Sequence, residues 1–147
     1  MLSPDFAFDL ALKKAGIEHC NLVEVSSILP KGIEEINLEL YENKNDFIHS
    51  TIKPGEITYV VLARMDGEKG QTIGAGVAWV REKKFGIVAE EHGYSDRKEI
   101  EERLDWKLRE MAKIRGLKIS GYKKRIEYMR VDDQYGCVLA ALVYVPE

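Results

Sequence analysis

Between residues 56 and 92 the chain carries three strand-like runs, 56–64, 72–81 and 85–92, with connections at 66–70 and 82–84. Connections this short suit hairpins, so the centre of the chain is expected to be antiparallel sheet. The middle run narrows the choice further. Gly74, Gly76 and Ala78 lie two apart, which leaves one face almost without side chains and lets another element approach closely. Gly74-Ala75-Gly76 is no dinucleotide fingerprint, because no third glycine and no helix follow.

Helices and further strands flank this centre. Residues 5–15 read as an amphipathic helix, with Lys13 and Lys14 in its last turn and Gly16 as a C-cap. Residues 21–27 alternate as a strand. The stretch 31–54 is polar and acidic, with a short strand near 35–41 as its one candidate element and Pro54-Gly55 as its turn. Ser95 is expected to cap a helix of about six turns. Its buried stripe is Ile100, Leu104, Leu108, Met111 and Ala112, and Gly116 ends it. Strands at 122–131 and 136–145 close the chain around a turn at 132–135. Two helices with six or seven strands make an α+β layered domain, and no linker divides residues 1–147.

Composition removes several functions. The net charge is 22 − 25 = −3, which disfavours a nonspecific grip on nucleic acid. The longest apolar runs, 58–63 and 138–145, are too short to cross a bilayer, and no signal segment opens the chain, so a cytoplasmic protein is expected. Cys20 and Cys137 have no metal-ligand spacing and His19, His49 and His92 are scattered, so no metal site or disulfide framework is expected.

Three places could carry chemistry. Ser26-Ser27 ends the strand at 21–27; a serine pair there commonly makes a turn, and no Gly-x-Ser-x-Gly elbow or spaced histidine base accompanies it. Glu90 follows an apolar approach on both strand faces, where desolvation would raise its pKa as a general acid needs; the plainer reading is a strand leaving the core. Asp9 sits among Phe6, Phe8, Leu10 and Leu12, either as a solvated carboxylate or as the partner of a cationic substrate. The two cysteines read as small buried fillers.

The wording of the chain adds to its periodicity. Phe8-Asp9-Leu10-Ala11-Leu12-Lys13-Lys14-Ala15-Gly16-Ile17 and Asn21-Leu22-Val23-Glu24-Val25-Ser26-Ser27-Ile28-Leu29-Pro30 closely resemble the pyruvoyl-dependent arginine decarboxylases. So do Phe85-Gly86-Ile87-Val88-Ala89-Glu90-Glu91-His92-Gly93, residues 109–114 and Tyr135-Gly136-Cys137-Val138-Leu139-Ala140-Ala141-Leu142, in the expected order. The likeness is weak only across 32–53.

The resemblance implies a four-layer αββα sandwich and a proenzyme that cuts itself between Ser26 and Ser27. The Ser27 hydroxyl would attack the Ser26 carbonyl, and elimination and hydrolysis would turn Ser27 into a covalently bound pyruvoyl group. A β chain of residues 1–26 and an α chain of 27–147 would result. Such a rearrangement leads us to expect backbone strain near Ser26. The reaction implied is decarboxylation of arginine to agmatine, a polyamine precursor, with the pyruvoyl carbonyl taking the substrate amine and accepting the electrons that CO₂ leaves behind. Glu90 matches the family's proton donor, Asn21 a residue linked to processing and the site, and Asp9 one that pairs with the guanidinium. Six extended residues between Asn21 and Ser27 span about 20 Å, so a shared site needs a bend or a second subunit. The family uses homotrimers with sites between neighbours. Glu18-His19-Cys20 stands where the family has smaller or less polar residues, at positions that would border the substrate. Two alternatives remain open: the same chemistry on another amino acid, and an unprocessed relative serving as a subunit or interaction module.

Overall fold

The computed structural model describes residues 3–146. In chain order the elements are α1 (Pro4–Ala15), β1 (Asn21–Glu24), β2 (Ile28–Leu29), a 3-10 turn (Leu38–Leu40), α2 (Lys44–Thr51), β3 (Ile57–Glu68), β4 (Thr72–Val80), β5 (Gly86–Gly93), α3 (Arg97–Ile114), β6 (Lys123–Arg130) and β7 (Tyr135–Val143). The strands form two sheets, ordered β1-β3-β7 and β2-β5-β4-β6. The fold is α+β, as the alternation of the sequence predicts.

Of the two expected hairpins, only β4–β5 forms, antiparallel from Gly74↔Gly93 to Val80↔Ile87. The β3–β4 connection is no hairpin: it carries the chain from one sheet to the other, and so does the β6–β7 turn. Both crossings depend on bare backbone. Gly67 and Gly136 face each other in the β3–β7 ladder. A Cβ on Gly67 would stand 2.6 Å from the Ile73 side chain, and one on Gly136 would stand 2.9 Å from Val131. The two crossings are also tied together, Gly70 N–H donating to the Val131 carbonyl and Val131 N–H to that of Gln71, each at 2.8 Å.

The sheets share a core in which Val61, Ala63, Val138 and Ala140 meet Ile73, Ala75, Val77 and Val88. Along β4 the other parity turns outward, and the glycine face is the bed of α3. Ile100, Leu104, Leu108 and Ala112 lie buried against Ala78, Ile87 and Ala89. Fully burying a side chain of the Ile or Leu type contributes about 1.5–3 kcal/mol. A Cβ on Gly74 would lie 2.7 Å from the Ser95 carbonyl oxygen and 2.8 Å from Ile100, and one on Gly76 would lie 2.8 Å from Leu104. Backbone cannot step aside as a side chain can, so Gly74→Ala is expected to lower stability by about 1–3 kcal/mol in urea unfolding. An unchanged midpoint would show that α3 can lift away freely.

Helix α3 starts one residue later than expected. Asp96, not Ser95, is the N-cap, in a capping box with Glu99. The reciprocal bonds satisfy two orphan N–H groups at once, which a lone serine cannot do. Ser95 is buried and instead accepts a 2.6 Å hydrogen bond from Arg103. The helix runs 18 residues, five turns rather than six.

On the outer side of the first sheet, α1 buries Leu12 against Leu139, with Ile17 beside them. Ser3 caps the helix through a 3.2 Å bond from Phe6 N–H, and Gly16 ends it at φ +83°. The strand expected near 35–41 is absent; the 3-10 turn lies there, and α2 follows. α2 contains no buried residue. It is held by the Asn43 cap, a 3.2 Å bond from Asn45 Nδ2 to the Lys13 carbonyl, and Ile48 packed beneath α1. Among the described residues no helix is long and apolar enough to cross a membrane.

Candidate active site

β1 lies parallel to β3, Asn21↔Ile57 through Glu24↔Val60. Its pairing ends where Val25 N–H donates to the Val60 carbonyl at 2.8 Å. Two residues on, the Ser27 carbonyl accepts from Val88 N–H at 2.8 Å, and β2 then runs antiparallel to β5. The Ser26–Ser27 peptide is therefore the bridge between the sheets, pinned at one end to β3 and at the other to β5. Ser26 is exposed and Ser27 half-buried. The strain expected near Ser26 does not take the form of a left-handed residue: among the described residues no non-glycine residue has a positive φ. The chain bends at Ser27, between two flanks that each have their own strand partner.

Register places Glu90 at this bridge. Ile28 pairs with Ile87, and the Val88 N–H bond to the Ser27 carbonyl sets Ser27 opposite Val88, two residues before Glu90 on β5. Leu29 and Val88 enter the core between the sheets, and alternation directs Ser27 and Glu90 to that same side. One side-chain repeat, about 7 Å, separates Val88 from Glu90. Glu90 is half-buried. Burial pushes its carboxyl above the usual carboxylate range; the Lys107 ammonium opposes this, and Glu24 and Glu91 add to the rise while His92 opposes it. Lys107 also donates to the Glu90 carbonyl at 2.8 Å and stands 3.9 Å from Glu91, which fixes this end of β5 against α3.

Asn21 and Asp9 lie elsewhere. Asn21 opens β1, at the end of the strand away from the serines, and its Nδ2 donates to the Gly55 carbonyl at 2.8 Å. Asp9 is exposed on α1, which covers the outer face of the sheet containing β1. One chain thus fixes Ser27 at Val88, one side-chain repeat from Glu90, while Asn21 sits at the far end of β1 and Asp9 on α1.

Three residues missed in the sequence frame the bridge. The Tyr144 hydroxyl donates to the Ile28 carbonyl at 3.2 Å while its N–H donates to the Tyr59 carbonyl at 2.9 Å, so it ties both sides of the crossing. Glu24 and Lys107 act on Glu90 as described. Only tertiary contact selects them: Glu24 ends β1, Lys107 lies within α3 and Tyr144 follows β7, none in a position that marks it out. The cysteines fit the filler reading: Cys20 packs beneath α1, and burial, reinforced by Asp66, pushes the Cys137 thiol up to about 12, where no thiolate nucleophile exists at neutral pH.

A two-sheet α+β domain that offers a serine pair beside a half-buried carboxylate has counterparts among known proteins. A family model described as pyruvoyl-dependent arginine decarboxylase matches residues 3–147. Proteins named pyruvoyl-dependent arginine decarboxylase from Thermococcus sibiricus and from Methanothermobacter thermautotrophicus are each 34% identical over 143 residues, 95% of this chain and 85% of theirs. A protein from Chlorobaculum tepidum named probable pyruvoyl-dependent arginine decarboxylase is 39% identical over 94 residues, 61% of this chain and 48% of its own. The chain belongs to the pyruvoyl-dependent arginine decarboxylase family, whose members are carbon–carbon lyases.

Proposed function

We propose that this chain decarboxylates arginine to agmatine after cutting itself between Ser26 and Ser27. The observation that carries the reading is the Ser27 carbonyl fixed to β5 at Val88, with Glu90 one repeat further along the same face. In the cut, the Ser27 Oγ adds to the Ser26 carbonyl carbon and the peptide C–N bond breaks, giving an ester. Elimination then frees the carboxylate of Ser26, and water replaces the nitrogen of residue 27, which leaves as ammonia. The residues present fit the resulting pyruvoyl group: Ser27 is half-buried, faces the inter-sheet side, and has its own carbonyl held. That group supplies an electrophilic carbonyl that takes the substrate amine and draws off the electrons released with CO₂.

Glu90 holds a proton above the usual carboxylate range and returns it to the former α-carbon. Asp9 receives the guanidinium through paired N–H donors, and Asn21 assists processing. Since one chain keeps Asn21 and Asp9 apart from Ser27, the working unit is a homotrimer in which neighbours complete each site. Val23, Ile57 and Tyr59, exposed on and beside β1, support a second copy covering this edge. The placement of α1 over one sheet and α3 over the other supports the four-layer αββα arrangement.

Intact-mass measurement tests the reading. Purified protein is expected to resolve into residues 1–26 and 27–147 and to release CO₂ from carboxyl-labelled arginine in preference to ornithine, lysine and histidine. A single 16.8 kDa species after prolonged warm incubation would sink it.

A further inference from the structure

The turn after α1 and the C-terminal end of α2 bring together three side chains that the sequence keeps apart. Glu18, His19 and His49 offer one ligand atom each, all within 4.8 Å of one another. His49 Nε2 lies 2.9 Å from Glu18 Oε1, and His19 Nε2 lies 3.5 Å from the same oxygen. We propose that these residues form a site for a divalent transition metal of the zinc class, with water as the remaining ligand. The site is separate from the serine bridge and does not rest on the decarboxylase reading.

The geometry is close to what such an ion requires. Tetrahedral ligands at about 2.1 Å from a metal stand about 3.4 Å from one another. The two separations from Glu18 bracket that value, so small side-chain adjustments admit the ion. The imidazoles are tilted by 42° with centroids 5.4 Å apart, converging on the carboxylate rather than stacking.

The Glu18 carboxylate itself points to a cation. Its Oε2 is buried and has no hydrogen-bond partner. A buried acceptor left unpaired is destabilising, and more so when charged. A bound cation gives both carboxylate oxygens a counter-charge and lets the histidines face it as neutral imidazoles through their lone pairs. Two imidazoles and one carboxylate suit zinc and its neighbours; calcium and magnesium prefer all-oxygen sets. Entry is open, since the His19 and His49 side chains are 58% and 38% exposed while Glu18 is 17% exposed.

The ion also has a structural place to act. Helix α2 buries no residue of its own, so a bond through His49 would fasten it to the turn after α1. The His19 carbonyl accepts from Gly55 N–H at 2.7 Å, which links the site to the turn that holds Asn21.

Calorimetric titration of the metal-stripped full-length protein with Zn²⁺ at neutral pH tests this, with Co²⁺ ligand-field absorption as a second readout. One ion per chain is expected, bound at micromolar or tighter levels, with the bands of a low-coordinate cobalt site. His49→Gln retains an amide N–H near the Nε2 position that faces Glu18, so it separates metal binding from a simple ion pair. It should weaken Zn²⁺ binding by about 100-fold or more and abolish the Zn²⁺-induced rise in Tm. Cys20→Ser should leave the affinity unchanged. The proposal is overturned if no saturation occurs below millimolar Zn²⁺, if His49→Gln binds as the parent does, or if Cys20→Ser removes the site.

Discussion

Ser27→Ala is expected to leave the chain as one 16.8 kDa species with no detectable release of CO₂ from arginine. Without the hydroxyl there is no nucleophile to add to the Ser26 carbonyl, so both the ester and the electrophile derived from it are lost. The fold should survive. Residue 27 is anchored through its backbone to Val88, and removing one half-exposed hydroxyl shifts stability by about 0.5 kcal/mol or less. Ser26→Ala gives the contrast, because residue 26 contributes a carbonyl that alanine also has. That variant should still cut, more slowly if the Ser26 hydroxyl helps position the bridge. Mass spectrometry of the two variants side by side decides the matter. Cutting at the same bond in Ser27→Ala would remove Ser27 from its assigned role.

The second large effect is expected at Glu90. Once processed, Glu90→Gln should turn over about 10²–10⁴-fold more slowly, the range that loss of a positioned proton donor produces. Its stability should move the other way. Burial raises the Glu90 pKa, so across the window above the ordinary glutamate range the folded state holds more proton than the unfolded state. Stability therefore falls as pH rises through that window, and the loss persists above it. Glutamine carries no charge to desolvate. The variant should melt above the parent at neutral pH, with the difference fading as pH drops below the ordinary glutamate range. The rise will be modest, because Glu90 is only half-buried and solvent screens it. A Tm gap that widens toward low pH, or undiminished turnover in processed protein, would exclude Glu90 as the proton donor.

What could be read from the sequence follows from where the information lies. α1 and α3 are legible because each lays a periodic apolar stripe on a sheet, and the Gly74/Gly76/Ala78 face reads as a docking surface because bare backbone has one main structural use. α2 is not legible, since a short helix with no fully buried residue imposes no hydrophobic period. The false hairpin at 66–70 and the crossing at 132–135 share a physical cause. Connection length fixes how far the chain travels but not which sheet it enters, and the determining contacts, Gly67 against Ile73 and Gly136 against Val131, appear only when the layers pack. At the candidate site, strand parity put Gly86, Val88, Glu90 and His92 on one face, which agrees with Val88 entering the core between the sheets. The meeting of Ser27 with β5 needed the register, and the separation of Asp9 from that face needed the placement of α1.

Among the described residues, the serine bridge is the only covalent link between α1 with β1 and the rest of the chain. A cut there would turn residues 1–26 into a separate polypeptide, retained by the parallel β1–β3 ladder and by Leu12 and Ile17 in their apolar nest with Leu139. Maturation would thus change the molecularity of folding. A chain that folds by itself as a proenzyme would become a two-part complex, whose reassembly after denaturation depends on concentration. The processed protein would then owe its persistence to the slow escape of a small docked peptide, and dilution, harmless before the cut, would become a way to take it apart.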